Sequence, residues 1–450
     1  MTIKANMYFR KLVYSSLIII GGSFYSPSMA QDTETELPAQ AKLQDLIDFA
    51  LDNRATMQQA LIDEEIGERE IASALSGWFP QINATGTYNY NVKIPTTAMG
   101  DQVIAMGQNH ASAAILQADQ QLLNPGLMQA AKAAKYIRQQ NALNTENSTI
   151  NTIVEVSKGY YDILTSEEQL NIIAENLARI ERQLADAKVR YETGIVDNID
   201  YKRAEITLAN TKAEQKRVAE LLNYKYAYLK ELIGLEAEQS LSLSFEDTAM
   251  EQEILIDTTQ TVDLENRVEF RQLQTIKQLQ HVNTQYNKWT FIPNLSAFYN
   301  YAWDFRDNRF ADLYSQNFPR SVFGLTLNVP IFQGGKRIQE IRKSKLQEAR
   351  IDWDIINLKN QINTQYEMAM ATYKANLNDW TTAQYNMTLA EEVYNTLKLQ
   401  YDEGIKTYLD LMTAETDLRT AQINYLNALF AVLSGKLEVQ RALGSVLDEN

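Results

Sequence analysis

Of the side chains that could run nucleophilic or metal chemistry, cysteine is absent and histidine occurs only twice in this 450-residue chain, and its many carboxylates form no recognisable catalytic motif. The chain has no cysteine, which removes disulfides, thiolate metal ligands, a cysteine nucleophile and a lipidated N-terminal cysteine. Its two histidines, His110 and His281, have no partner at metal-ligand spacing. No glycine-rich phosphate loop is present. The sequence therefore predicts no enzyme and no cofactor. What remains is a pair of glycine turns, each followed by a carboxylate. Tyr191-Glu192-Thr193-Gly194-Ile195 leads to Asp200, and Tyr401-Asp402-Glu403-Gly404-Ile405 leads through Lys406 to Asp410. Glycine is a common residue just past a helix end, and a carboxylate in the next helix's first turn suits the macrodipole. Two capped helical hairpins account for Gly194, Gly404 and Asp200 without any further role.

The two turns belong to a larger repeat. Asn53-Arg54 recurs as Asn266-Arg267, and Phe79-Pro80-Gln81-Ile82 as Ile292-Pro293-Asn294-Leu295. Leu123-Asn124-Pro125-Gly126 recurs loosely as Phe332-Gln333-Gly334-Gly335. Beyond the second turn the copies stay in register: Asp200, Ala204, Glu205, Leu208 and Gly234 face Asp410, Ala414, Glu415, Leu418 and Gly444. The chain thus divides into a leader over 1–30, a first repeat over 31–240, a connector over 241–262 and a second repeat over 263–450.

Each repeat must build long helices. Residues 126–292 and 331–450 contain no proline, and neither proline nor glycine interrupts the stretch between Gly335 and Gly404. At ~1.5 Å per residue, that stretch spans roughly 100 Å as one helix. Such rods have no core of their own and must pack laterally. In the last helix Leu411, Leu418, Tyr425, Val432 and Val439 recur every seventh residue, with Ala414, Ala421, Ala428, Gly435 and Ala442 between them. This is a coiled-coil seam with a small-residue side. Periodicity alone also fits a plain coiled coil with no further role.

The leader sets the compartment. Lys4, Arg10 and Lys11 precede an apolar run over residues 12–20, and Ser28 and Ala30 offer small residues for cleavage, so residues 1–30 read as a secretory signal. Its removal takes the net charge from −15 to −18. So acidic a chain is a poor nucleic-acid binder, because phosphate contacts need basic patches. The acidity fits a solvated surface or a water-filled acidic lumen.

No later run approaches the ~20 apolar residues of a membrane helix, so any span must be a closed barrel of strands. Ile82, Ala84, Gly86, Tyr88, Tyr90 and Val92 alternate with polar residues. Leu295, Ala297, Tyr299, Tyr301 and Trp303 do so in the second repeat, and Phe323, Leu325, Leu327 and Val329 on its return strand. These runs have the ~10-residue length of transmembrane β-strands. Segments 93–112 and 304–320 would be the loops joining each strand pair. Two strands per repeat make four per chain, too few to enclose water, since membrane barrels use about eight or more. The barrel must be shared around a symmetry axis, and three chains would give twelve strands. The expected class is mainly α with a membrane β-barrel portion: a homotrimer in contact with membrane lipid. A structural coiled-coil spacer or adhesin of the cell envelope is the alternative, and it has no need of the lipid-facing alternation.

The proline-led strands, the Phe332-Gln333-Gly334-Gly335 turn into a long helix, and the doubled Tyr-x-x-Gly turn followed by Asp resemble the TolC-type outer membrane factors over residues 40–445. The resemblance implies a trimer with a twelve-stranded outer-membrane barrel and an α-helical periplasmic tunnel, with the connector in an equatorial region. It also implies a periplasmic adaptor and an inner-membrane pump as partners. By the same resemblance, Gly194, Ile195, Gly404 and Ile405 form the adaptor-contacting tip. Tyr401 and Lys406 bond Asp200 of the other repeat in the closed state, and Asp410 lines a constriction. Thr413 stands where a second acidic ring would be, and Lys406 where arginine is familiar. Lysine lacks the two-pronged grip of a guanidinium.

Overall fold

The computed structural model describes residues 37–194, 198–244 and 254–447. The expected leader, Ile195 and part of the connector lie outside them. Each repeat lays down helix, strand pair, long helix and shorter helix. The first contains α1 (Leu43–Asn53), α2 (Ala55–Leu75), strands β1 (Gln81–Tyr90) and β4 (His110–Leu123), α3 (Pro125–Glu192) and α4 (Asn198–Ile233). Between β1 and β4 lies a small hairpin of β2 (Thr96–Met99) and β3 (Gln102–Ala105). The second repeat contains α5 (Val268–Trp289), β5 (Asn294–Asp307), β6 (Arg320–Asn328), α6 (Lys336–Asp402) and α7 (Tyr408–Leu443).

The two rods are what the missing helix breakers allow: α3 runs 68 residues and α6 67. The Asn124 side chain accepts from the Gly126 and Leu127 N–H groups at the start of α3, where Pro125 occupies the position that has no use for an N–H. Among the described residues no helix is long and apolar enough to cross a membrane.

The four long strands form one antiparallel sheet in the order β1-β4-β5-β6. Its register sorts the side chains onto two faces. Ile82, Ala118, Tyr299 and Phe323 lie in one row, and Ala84, Leu116 and Tyr301 in the next, giving an apolar face. The rows between hold Asn83, Gln117 and Asn300, then Thr87 and Asp304, then Asn89 and Arg306, giving a polar face. Both loops expected between the strands are shorter than the sequence suggested. The first holds the β2–β3 hairpin, and β4 and β5 reach His110 and Asp307.

Next to the sheet the helices lie side by side as α2, α3, α5, α6; towards the turns the order is α4, α3, α7, α6. Thus α4 stacks end to end with α2, and α7 with α5. Each junction is built around a glycine. Gly234 ends α4 at φ +78°, and a Cβ there would stand 2.5 Å from the Asn53 carbonyl oxygen. Gly444 ends α7 at φ +81° with the Asn266 oxygen 2.7 Å from the same point. The neighbouring arginines finish the junctions. Arg54 donates to Thr152 at 3.2 Å and Glu155 at 2.6 Å, and buried Arg267 to the Ala442 carbonyl at 2.9 Å. The repeated Asn-Arg and Gly are therefore two faces of one joint.

The main core surrounds these joints, with Ile163, Leu164, Leu229, Ile233 and Leu433 fully enclosed. On α7 the predicted seam residues Leu411, Ala414, Leu418, Val432, Gly435, Val439 and Ala442 are buried. So is a second stripe of Leu426, Leu429, Leu433 and Leu437, because α7 packs on both α3 and α6. A single heptad seam describes one neighbour only.

Candidate gate and tip

A smaller core holds the turn end together: Ala204, Tyr394, Tyr401, Tyr408, Leu411, Ala414 and Leu418. Beyond it the second turn closes in a few residues. The Gly404 N–H donates to the Tyr401 carbonyl at 2.9 Å and the Ile405 N–H to Gln400 at 2.8 Å, with Gly404 at φ +75°. This left-handed cap needs glycine for its dihedral alone, since nothing lies within 4 Å of where a Cβ would point. Gly194 repeats the conformation at φ +74°, also in open space. Ile405 at the second apex is 72% exposed.

Asp410 is first of all a helix cap. Thr407 donates to its carboxylate from the backbone at 3.1 Å and from the hydroxyl at 2.8 Å, and the Asp410 N–H returns a bond to the Thr407 hydroxyl at 3.2 Å. The Thr407 hydroxyl and amide, aided by the nearby Lys406 charge, hold the Asp410 carboxyl below its ordinary value. Lys406 is exposed and makes no ion pair among the described residues.

Tyr401 is buried, and its hydroxyl donates to Asp186 at 3.5 Å. Arg190 binds the same carboxylate at 2.9 Å and lies 5.0 Å from the Tyr401 ring. Tyr408 packs beside Tyr401 with centroids 6.1 Å apart, and burial pushes both phenols up. Asp200 sits in the first turn of α4, 3.8 Å from Arg203. Within one chain, then, the carboxylate that Tyr401 reaches belongs to Asp186, and Asp200, Tyr401 and Lys406 are not joined by direct bonds.

The partners that sequence reasoning missed all lie on α3. Glu415, buried on α7, accepts from Arg179 at 3.1 Å and from Gln183 at 2.8 Å. With Asp186 and Arg190 these residues form a polar ladder between the repeats, at sequence separations above two hundred residues. The only local signal was the Asp186/Arg190 spacing of four, which marks one helix face.

The arrangement offers charged and phenolic groups at the end of a long helical hairpin, with no converging nucleophile. Among the described residues no cluster of His, Asp and Glu is placed to hold a metal.

Comparison with known proteins agrees with this architecture. The model of the outer membrane efflux protein family matches residues 46–235 and 264–445. Outer membrane protein TolC of Vibrio cholerae is 20% identical over 416 residues, covering 91% of this chain and 92% of that one. Outer membrane protein OprJ of Pseudomonas aeruginosa is 21% identical over 415 residues, covering 91% and 85%. Among solved structures, the outer membrane protein VceC of Vibrio cholerae superposes with a TM-score of 0.71 at 15% identity, covering 89% of this chain and 96% of that chain. Two family matches that fall on the two repeats, and a shared fold of long helices with a four-stranded sheet, make one conclusion: this chain belongs to the outer membrane efflux protein family.

Proposed function

We propose that three copies of this chain close into a passive exit duct, gated at its periplasmic tip, for a tripartite efflux or type I secretion system. The observation that carries the reading is a pair of open edges that match. On one side stand β1, α2 and α4, and on the other β6 and α6. Every residue of β1 is exposed, as is nearly every residue of β6. A bare strand edge at the end of an apolar sheet is an unfinished structure in lipid, where each unpaired backbone group costs several kcal/mol. Pairing β6 with the β1 of the next copy removes both edges. The flanking helices present apolar surface at the same edges, with Leu61, Ile62 and Ile66 on α2 and Leu346, Trp353 and Ile356 on α6.

In that assembly the apolar sheet face meets lipid and the polar face lines water. Gly194, Ile195, Gly404 and Ile405 form the tip that a periplasmic adaptor grips, with exposed Ile405 supplying apolar contact. An inner-membrane pump provides the energy. Around the three-fold axis Asp410 appears three times, and like charges in a narrow throat attract cations and repel one another. Among the described residues Lys406 makes no ion pair, which leaves it available to a neighbouring copy, while Asp200 has Arg203 at 3.8 Å. Tyr401, held against Asp186 and Arg190, ties the gate hairpin to α3.

The test is conductance of the purified protein in a planar bilayer. Stepwise ion currents are expected, and Asp410→Ala should lower cation selectivity. Currents with unchanged selectivity would move the constriction away from Asp410, and absence of current would overturn the channel itself.

A further inference from the structure

The end of the helical region next to the sheet carries an excess of positive charge, part of which no ion pair neutralises. The chain is acidic overall, yet residues 336–345 hold five cations and one carboxylate, and residues 125–138 hold three cations and no carboxylate. Lys336 and Arg337 open α6, whose first turn contains no acidic residue. Cations at a helix N-terminus run against the macrodipole, so this placement works against the helix itself. Neither is neutralised from within. Among the described residues Lys132, Lys288, Lys336 and Arg337 make no salt bridge, although most arginines of the helical region do.

These four cations lie in one band across three adjacent helices, α3, α5 and α6. The band sits beside aromatic residues at the foot of the sheet. The Lys132 ammonium lies 4.4 Å above the Trp289 ring. The Arg337 guanidinium lies 5.1 Å from the Phe291 ring and donates to the Pro330 carbonyl at 3.2 Å. Phe291 is 52% exposed. Ile331, at 93% exposed, continues the outward alternation of Phe323, Leu325, Leu327 and Val329. Aromatic rings followed directly by unpaired cations are what a chain presents where hydrocarbon gives way to headgroups. An anionic surface acts on such cations over about a Debye length, ~8 Å.

We propose that Lys132, Lys288, Lys336 and Arg337 form a collar that binds anionic phospholipid headgroups of the periplasm-facing leaflet. Lys336 and Arg337 meet phosphate oxygens directly, and Lys132 and Lys288 supply charge beside the interfacial Trp289. The collar orients the barrel's lower rim and couples the channel to the lipid composition of that leaflet. This inference rests on the barrel reading above.

The experiment is native mass spectrometry of the full-length protein from micelles doped with equal phosphatidylglycerol and phosphatidylcholine. The wild type should retain phosphatidylglycerol preferentially, and Lys132→Gln with Lys288→Gln and Arg337→Gln should weaken that preference by about fivefold per cation. Lys132→Arg with Lys288→Arg and Arg337→Lys should restore it. Inorganic phosphate at matched charge should not compete, which separates a lipid surface from a free-phosphate site. Equal retention of both lipids by the wild type, or an unchanged preference in the glutamine variant, would overturn the collar. Conductance is recorded on the same samples. Channels without lipid preference reject the collar alone, whereas failure of the wild type to conduct rejects the barrel reading with it.

Discussion

Glu205 and Glu415 hold equivalent positions in the two repeats, and their surroundings have little in common. Glu205 lies on α4 at the open side of the chain, accepting from the Tyr201 hydroxyl at 2.7 Å and from Lys202 at 3.2 Å, both one turn away. Glu415 lies on α7 between α3 and α6, where Arg179 and Gln183 of the other repeat enclose it. The joints at Gly234 and Gly444 differ far less: same dihedral, same Asn-Arg partner, same close approach. The repeats are alike where a repeat closes on itself and unlike where its neighbour changes. Functional asymmetry in this molecule belongs to the neighbours.

The largest expected effect tests the likeness. Gly234→Ala and Gly444→Ala each force a Cβ into a backbone carbonyl at a left-handed dihedral, and each should cost about 3 kcal/mol. Thermal unfolding of the detergent-solubilised protein reads this, and the two variants should fall together. A benign Gly444→Ala would break the equivalence of the joints.

The next effect tests the difference. Glu415→Gln leaves Arg179 only the exposed Glu175 carboxylate, 3.7 Å away, as a charge partner and should destabilise by about 2 kcal/mol. Glu205→Gln, on the exposed side, should leave the melting temperature unchanged within error. Equal losses from both would mean that the inter-repeat ladder contributes nothing special.

Smaller effects concern the turn. Gly404→Ala should cost about 1 kcal/mol, since only its dihedral is at stake. Thr407→Ala removes the cap of α7 and should cost a similar ~1 kcal/mol. It should also alter a titration. Thr407 and Lys406 hold the Asp410 carboxyl below its ordinary value, so it protonates at lower pH than an unperturbed aspartate. Cation selectivity owed to Asp410 should therefore survive mild acid in the wild type. In Thr407→Ala it should fade at higher pH, as measured by reversal potentials across a pH series. Identical pH profiles would uncouple the cap from the constriction.

Much of the fold could be read from residue types alone. Missing prolines bounded α3 and α6, with glycine also missing from α6, and alternation found β1, β5 and β6 because each must show lipid an apolar face. The fourth strand, β4, has a blurred pattern of Ser112, Ala114, Leu116, Ala118 and Gln120, and only its register with β5 aligns these with the apolar face. Its small residues lie opposite Phe305, Trp303 and Tyr299, so bulk on one strand substitutes for bulk on the next. The same limit governs the site. Gly194, Gly404 and the cap role of a carboxylate followed from local rules, since a turn and a first helical turn involve a few consecutive residues. The Tyr401–Asp186 bond and the enclosure of Glu415 arise between residues some 215 to 236 positions apart, and nothing in local spacing encodes them.

The central claim is that one chain supplies one third of a closed structure, with β6 and α6 meeting β1, α2 and α4 of the next copy. Native mass spectrometry of the protein extracted from outer membranes tests it most directly. A single species of three chains is predicted, and a species of one, two or four chains would contradict the closure on which the gate, the tip and the collar all depend.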